Sequence, residues 1–255
     1  MRAMKLFKPR FNQRLATPDS DVTPNPVRSY ASCDCLTPQY KGRKWQELRL
    51  HGEIQNPDSD AWRSLEAHIQ NVAAEGKDEL NPIAAIGPEK YEQIVTLPRS
   101  IGTLQSVKFL SLYGSHLVRI PPEIGEMKNL EEFDPYTSYR LHWFPYEITR
   151  CKNLKLSRVS TRALYGNYKY RAPFPRLPSI LSDIVPASCS VCRGPFQEGG
   201  PYQAWISLRV ATDILPLLVH ACSPECIRRL PQPPAGCVPH SHQGGLGLEQ
   251  PPAKY

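Results

Sequence analysis

IVTLPRSIGTLQSVKFLSLYGSHL, residues 94–117, sets the period of this chain. Its Leu97-Pro98 returns as Ile120-Pro121 and again as Phe144-Pro145, at spacings of 23 and 24 residues. Ile101, Ile124 and Ile148 keep step with it. So do Leu104, Met127 and Cys151, and then Val107, Leu130 and Leu154. Four apolar columns in register at this period describe stacked units, each unable to bury its apolar side without a neighbour. A stack of that kind offers an extended surface and brings no chemistry of its own.

The first unit fits L-P-x-x-I-G-x-L-x-x-L-x-x-L-x-L through Leu97, Ile101, Leu104, Val107, Leu110, Leu112 and Leu117. This stretch resembles the intracellular leucine-rich repeat class. The second unit, residues 118–141, keeps Ile124, Met127, Leu130 and Phe133. It places Pro135 at the second strand leucine position, where a proline cannot donate to a ladder and the strand should end early or bulge. In the third unit Leu156 and Val159 compete for the strand columns. Ser115 and Ser138 stand where the family has asparagine, and a hydroxyl makes fewer bonds than an amide. FPRLP at 174–178 is a candidate degenerate fourth unit.

The resemblance implies a short solenoid over residues 91–180, with its strands along the inner wall. If column residues point inward, the residues between them point out. That set is Lys108, Ser111 and Tyr113, with Phe109 nearby, and then Glu132, Asp134 and Tyr136. A mixed surface with exposed tyrosines suits protein recognition, because tyrosine adds contact area at low entropic cost. Residues 133–174 also carry ten aromatic side chains. The sequence leaves them divided between core and an exposed patch with Arg140 and Arg171.

A stack needs covers for its end surfaces. Residues 31–90 are the expected N-terminal cap. Trp45, Leu48 and Leu50 in WQELRLHG suggest a short strand. Residues 56–76 then read as a helix, with an N-cap between Asp58 and Asp60 and a stop at Gly76. Trp62, Leu65, Ile69, Val72 and Ala73 share its apolar face. Residues 1–30, with Pro18, Pro24 and Pro26, read as a disordered basic tail, and the Pro/Gly-rich residues 236–255 as a second disordered tail.

Residues 181–235 form the expected C-terminal module. Cys189 and Cys192 make a C-x2-C pair and Cys222 and Cys226 a C-x3-C pair, 29 residues apart. Four thiolates satisfy a tetrahedral zinc ion and leave no open position for a substrate. CSPECIRRL, residues 222–230, resembles the second half of treble-clef fingers, with YQAWISLRV as a hairpin strand. Structural zinc is the expected cofactor, contributing on the order of 10–16 kcal/mol of apparent binding free energy. His220 is an alternative ligand at poorer spacing. Cys33, Cys35 and Cys151 read as core thiols, and Cys237, His240 and His242 as incidental metal binders in the tail.

Eight cysteines, 27 prolines and 40% hydrophobic residues accompany a formal charge of +7 over 255 residues. No apolar run reaches the roughly 18 residues of a membrane span. The opening MRAMKLFKPRFNQR lacks the apolar core of a secretory signal. A cytoplasmic, reducing location follows as the expectation, and it favours metal ligands over disulfides. Six cations, Arg2, Lys5, Lys8, Arg10, Arg14 and Arg28, fall in the first 28 residues, and the remaining charge is spread thinly.

These readings converge on an α+β fold: a short leucine-rich repeat solenoid, an N-terminal strand-helix cap and a small zinc-ribbon or treble-clef-like module. The expected function is non-catalytic protein–protein interaction as an adaptor or scaffold, with a protein partner and no membrane. A second reading is nucleic-acid binding through the zinc module and the basic, aromatic segment. A third, a cysteine-dependent enzyme, lacks any visible orienting group or oxyanion feature.

Overall fold

The computed structural model describes residues 45–177 and 184–254, a mixed α/β architecture with two sheets and few helices. The basic residues near the start of the sequence, Cys33 and Cys35 lie outside the described residues. Helix α1 (Asp60–Glu75) starts where the Ser59 side chain accepts the Trp62 N–H at 3.2 Å. It stops at Gly76, whose φ of 62° is open to glycine and strained for other residues. Its buried face is Ala61, Leu65, Ile69 and Val72. Trp62 is half-buried and Ala73 exposed, so the face is rotated slightly from the expected one. Each fully buried Leu or Ile here stabilises the fold by about 1.5–3 kcal/mol.

The strand expected within residues 45–52 is absent. Those residues run without strand partners; Leu48 is buried, and Trp45 and Leu50 are half-buried. Polar side chains hold the segment instead. Gln55 accepts the Val95 N–H at 2.8 Å, and Arg119 donates to the carbonyls of His51 and Glu53.

After α1 come β1 (Glu79–Leu80) and two short helices, α2 (Pro82–Ile86) and α3 (Pro88–Tyr91). The repeating stretch follows. Its first two units each pass from a proline into a 3-10 turn, Arg99–Thr103 and Pro122–Glu126, and on to β2 (Phe109–Ser111) and β3 (Glu132–Asp134). The third opens on β4 (Phe144–Pro145), makes the turn Tyr146–Arg150 and reaches β5 (Leu156–Ser157). Strands β1, β2, β3 and β5 form one parallel sheet in that order, with Leu110 opposite Phe133 and Phe133 opposite Ser157. Ile101, Leu104, Val107, Leu110, Ile124, Met127, Leu130, Phe133 and Ile148 are all buried in one core with α1.

The turns stack closely, and the glycine after each isoleucine in the first two units permits it. A Cβ on Gly125 would lie 2.5 Å from the Glu147 carbonyl oxygen. On Gly102 it would lie 3.2 Å from the Glu123 Cβ. β3 ends before Pro135, as the missing N–H requires. The inter-unit bonding resumes one residue on, where Gly114 N–H meets the Tyr136 carbonyl at 2.9 Å. The two serines in the asparagine position form a ladder of their own. Ser138 accepts the Ser115 N–H at 3.2 Å and donates to the Leu112 carbonyl at 3.1 Å, and the two hydroxyls lie 2.7 Å apart.

The register of the third strand goes to neither residue alone. Ser157 takes the inward position opposite Phe133, and Val159 is buried two residues on. Leu156, opposite Glu132, is only half-buried. The apolar column ends in serine because a hairpin arrives there: the Ser157 hydroxyl lies 2.8 Å from an Asp213 carboxylate oxygen and 3.1 Å from the Val210 carbonyl.

That hairpin is β6 (Tyr202–Val210) and β7 (Asp213–Ala221), antiparallel throughout. β7 also pairs in parallel with β4, placing Leu217 opposite Phe144 and Leu218 opposite Pro145. Ile206, Leu208, Val210, Leu215, Leu217, Val219 and Ala221 join the same core as the repeat columns. A second cluster lies beside it, with Trp143, Tyr165, Phe174 and Trp205 at its heart and Leu48 against them. The aromatic segment is therefore mostly interior; Tyr136, Tyr139 and Tyr168 are its exposed members. Phe174 of the suspected fourth unit packs on Trp205, with ring centroids 5.8 Å apart.

Residues 236–254, expected as a disordered tail, lie instead against the body. Trp205 and His242 exchange backbone hydrogen bonds of 2.8 and 3.0 Å, and Lys254 N–H reaches the Tyr168 carbonyl at 3.0 Å. A Cβ on Gly244 would lie 2.1 Å from the Pro175 carbonyl oxygen. Glycine here serves close backbone approach at a φ of 73°, and the composition that reads as looseness encodes contact. Short α4 (Pro224–Arg228) follows β7.

Candidate functional site

Two features carry the sequence-predicted site residues: a cluster of four sulfurs and the outward face of the first sheet. The sulfurs of Cys189, Cys192, Cys222 and Cys226 all lie within 4.8 Å of one another. Cys189 and Cys192 sit on a tight turn closed by Cys189 N–H to the Gly194 carbonyl at 2.9 Å, and by Arg193 N–H to the Cys189 carbonyl at 3.0 Å. Cys222 leaves the end of β7. Ser223 caps α4 by accepting the Cys226 N–H at 3.3 Å, with Pro224 in the first turn where no donor is needed. The cap sets the angle at which Cys226 returns to the other three.

The separations suit a metal. Cys192 and Cys222 have their sulfurs 3.5 Å apart, and Cys222 and Cys226 3.6 Å. Metal–sulfur bonds of about 2.3 Å in a tetrahedron give sulfur–sulfur edges of roughly 3.8 Å. Burial would raise the Cys189 thiol, but backbone N–H groups of Cys192, Cys222 and Val191 outweigh it and bring the group down to about 7. Cys222 is pushed up to about 12, first by its hydrogen bond with Cys192. Four sulfurs this close cannot all ionise unaided, and a bound cation reverses that order. The cluster can hold a metal ion.

His220, the alternative ligand, is not in the cluster. It is buried, with Nε2 3.2 Å from the Gln203 side-chain nitrogen and its backbone N–H on the Ser190 hydroxyl at 2.9 Å. Cys151 is packed in the core with its thiol on the Ile124 carbonyl at 3.2 Å, and burial pushes it up to about 12. The third repeat touches the cysteine turn directly: Arg150 donates to the carbonyls of Cys189 and Ser190 at 3.3 and 3.0 Å.

On the first sheet, Lys108, Tyr113, Glu132 and Tyr136 are exposed, and Ser111 and Asp134 half-buried. Phe109 is 37% exposed, Tyr113 42% and Tyr136 50%, high values for side chains of this size. Phe109 lies opposite Glu132, and Ser111 opposite Asp134. The Tyr113 and Tyr136 rings are neighbours, 6.2 Å between centroids. Two further members come from the third unit. Arg158 reaches Asp134 at 3.1 Å, and Lys155 reaches Glu131 at 2.8 Å, holding that carboxyl below its usual range. The sequence hides these two because the third strand's register is readable only once Ser157 is known to face inward.

No family model matches the chain, and no curated protein matches it. Among solved structures, an LRR protein of Leptospira interrogans is similar over 44% of this chain and 39% of its own length, at 24% identity and a TM-score of 0.22. The chain thus spans well under half of that neighbour. Among the described residues no helix is long and apolar enough to cross a membrane.

Proposed function

We propose that this chain is a non-catalytic adaptor: a short leucine-rich repeat solenoid that grips a protein partner with its strand-bearing wall, closed at one end by a structural zinc site. The supporting observation is the row of exposed Phe109, Tyr113 and Tyr136 set among Lys108, Glu132, Asp134 and Arg158. Aromatic anchors with a mixed-charge rim are the composition of protein interfaces. The cations of this wall are matched by carboxylates, with Lys155 on Glu131 and Arg158 on Asp134, so it offers no net positive charge to a phosphate backbone, which favours a protein over nucleic acid.

A photo-crosslinking amino acid at Tyr113 or Tyr136 should trap a discrete partner in cells, and one at Asn129, on the turn side, should not. Tyr113→Ala with Asp134→Ala should abolish the crosslink formed from position 136 at an unchanged melting temperature. A crosslink that survives both substitutions removes the wall from the proposal.

In this reading the four cysteines are spent on zinc, and none serves as a nucleophile. Purified protein should contain one zinc per chain, with Cys189, Cys192, Cys222 and Cys226 protected from alkylation until a chelator is added. Metal-free protein that is folded and fully alkylated at those positions would refute the metal assignment.

A further inference from the structure

A cavity of about 360 Å³ lies apart from both features, between the loop after the third repeat, the β6–β7 hairpin and the last described residues. Three cations line it, Arg171, Arg209 and Lys254, from three different segments. None of the three makes an ion pair among the described residues. Arg171 is oriented by carbonyls alone, Gly166 at 3.2 Å and Pro252 at 3.3 and 3.4 Å. Arg209 has one long bond, 3.4 Å to the Thr212 carbonyl. The one carboxylate in the lining, Asp213, hydrogen-bonds the Ser157 hydroxyl and is attracted by Arg209 without forming an ion pair with it.

The rest of the wall is apolar or polar without charge. Leu164, Ile214 and Pro216 supply hydrocarbon. Tyr165, also in the lining, is 1% exposed, and its hydroxyl has no hydrogen-bond partner among the described residues. The volume falls in the range of small-molecule sites, which pair an apolar lining with a few convergent polar groups.

We propose that this cavity binds a small organic anion, its carboxylate or phosphate head held by Arg171, Arg209 and Lys254 and its apolar body against Leu164, Ile214 and Pro216. Three cations gathered from separate segments face a single carboxylate, Asp213, so the lining keeps a net positive charge that an anionic head group would balance. The site is independent of the strand wall, so it stands or falls separately from the adaptor reading.

Calorimetric titration of the full chain with phenyl phosphate, benzoate, phenol and inorganic phosphate tests it. At least one of the two aromatic anions should bind one to one and more tightly than phenol and inorganic phosphate. The tighter of the two identifies the head group. Arg209→Gln and Lys254→Gln should each weaken that binding about tenfold, the worth of one charge-assisted hydrogen bond. Both variants should keep the wild-type melting temperature, since neither side chain holds the fold. The bound anion should also slow alkylation of Cys237, which lines the same cavity. Phenol or inorganic phosphate binding as tightly as both anions, no saturable binding, unchanged affinity in the two variants, or an unchanged Cys237 rate would overturn the proposal.

Discussion

At the residue scale, the apolar columns were open to reading because each position repeats its environment. Ile101, Ile124 and Ile148 face the same kind of interior, so one residue type recurs. Glycine in this motif follows a different logic, that of space. Gly125 has a φ that other residues adopt, so Gly125→Ala should gain about 0.4–1 kcal/mol from the unfolded chain. Against that, its Cβ meets a backbone carbonyl of the next turn at 2.5 Å. Overpacking costs about 1–3 kcal/mol, and backbone cannot swing aside as a side chain can. We expect Gly125→Ala to destabilise by about 1–3 kcal/mol and Gly102→Ala by less, because its nearest contact, the Glu123 Cβ at 3.2 Å, need give only slightly. Urea midpoints of the two variants decide it: equal shifts would mean that the turns are not held apart by this contact.

At the element scale, legibility depended on whether an element is specified locally or by a neighbour. Helix α1 carries its own cap, stripe and stop, and its bounds follow from residues 56–76. β5 does not, because Ser157 sits inward only to meet the hairpin tip at Val210 and Asp213, more than fifty residues on. Ser157→Leu restores the column's apolar character but strands those polar groups, and we expect a loss of about 1–3 kcal/mol in denaturant titration. A stabilised variant would show that the column matters more than the hairpin contact. The extended segment before α1 is likewise invisible to periodicity, since side chains hold it. His51 Nε2 lies 3.2 Å from His142 Nε2, and His142 Nδ1 lies 2.5 Å from the Ala163 carbonyl. Burial, then the charges of neighbouring groups, brings His51 down to about 4 and His142 to about 3. A depressed histidine is neutral in the fold but protonates in the unfolded chain below about 6.5. Stability should therefore be full above pH 7 and fall as pH drops through 6.5 toward 4. His142→Gln should reduce that slope without abolishing it, since burial brings His220 and His242 down to about 4 as well; chemical denaturation at pH 7.5 and 5.5 measures it, and identical slopes in variant and wild type would exclude His142 as a contributor.

At the scale of the whole molecule, the fold joins segments that carry separate signals in the sequence. A repeat period and a cysteine spacing are different signals, so they read as different modules. Yet β7 pairs with β4 of the third unit, Arg150 bonds the cysteine turn, and the hairpin's inner residues share one core with the repeat columns and α1. The residues that join them, Phe144 and Leu217, are ordinary apolar positions whose pairing leaves no mark on either segment. Metal loss should consequently be felt throughout. If zinc supplies the order of 10–16 kcal/mol seen in closed cysteine sites, that is comparable to the 5–15 kcal/mol by which domains are stable at all. Chelation, or Cys189→Ser, should lower the thermal midpoint of the entire chain in a single transition, with protection of Leu110 and Leu130 amides from hydrogen exchange lost together with that of Leu217. An independent module would behave otherwise: two transitions, with the amides of the parallel sheet as protected after chelation as before it. That outcome would show the shared core to be a contact between separately stable parts, whereas a joint collapse would mean that the four sulfurs hold the repeat stack closed from its far end.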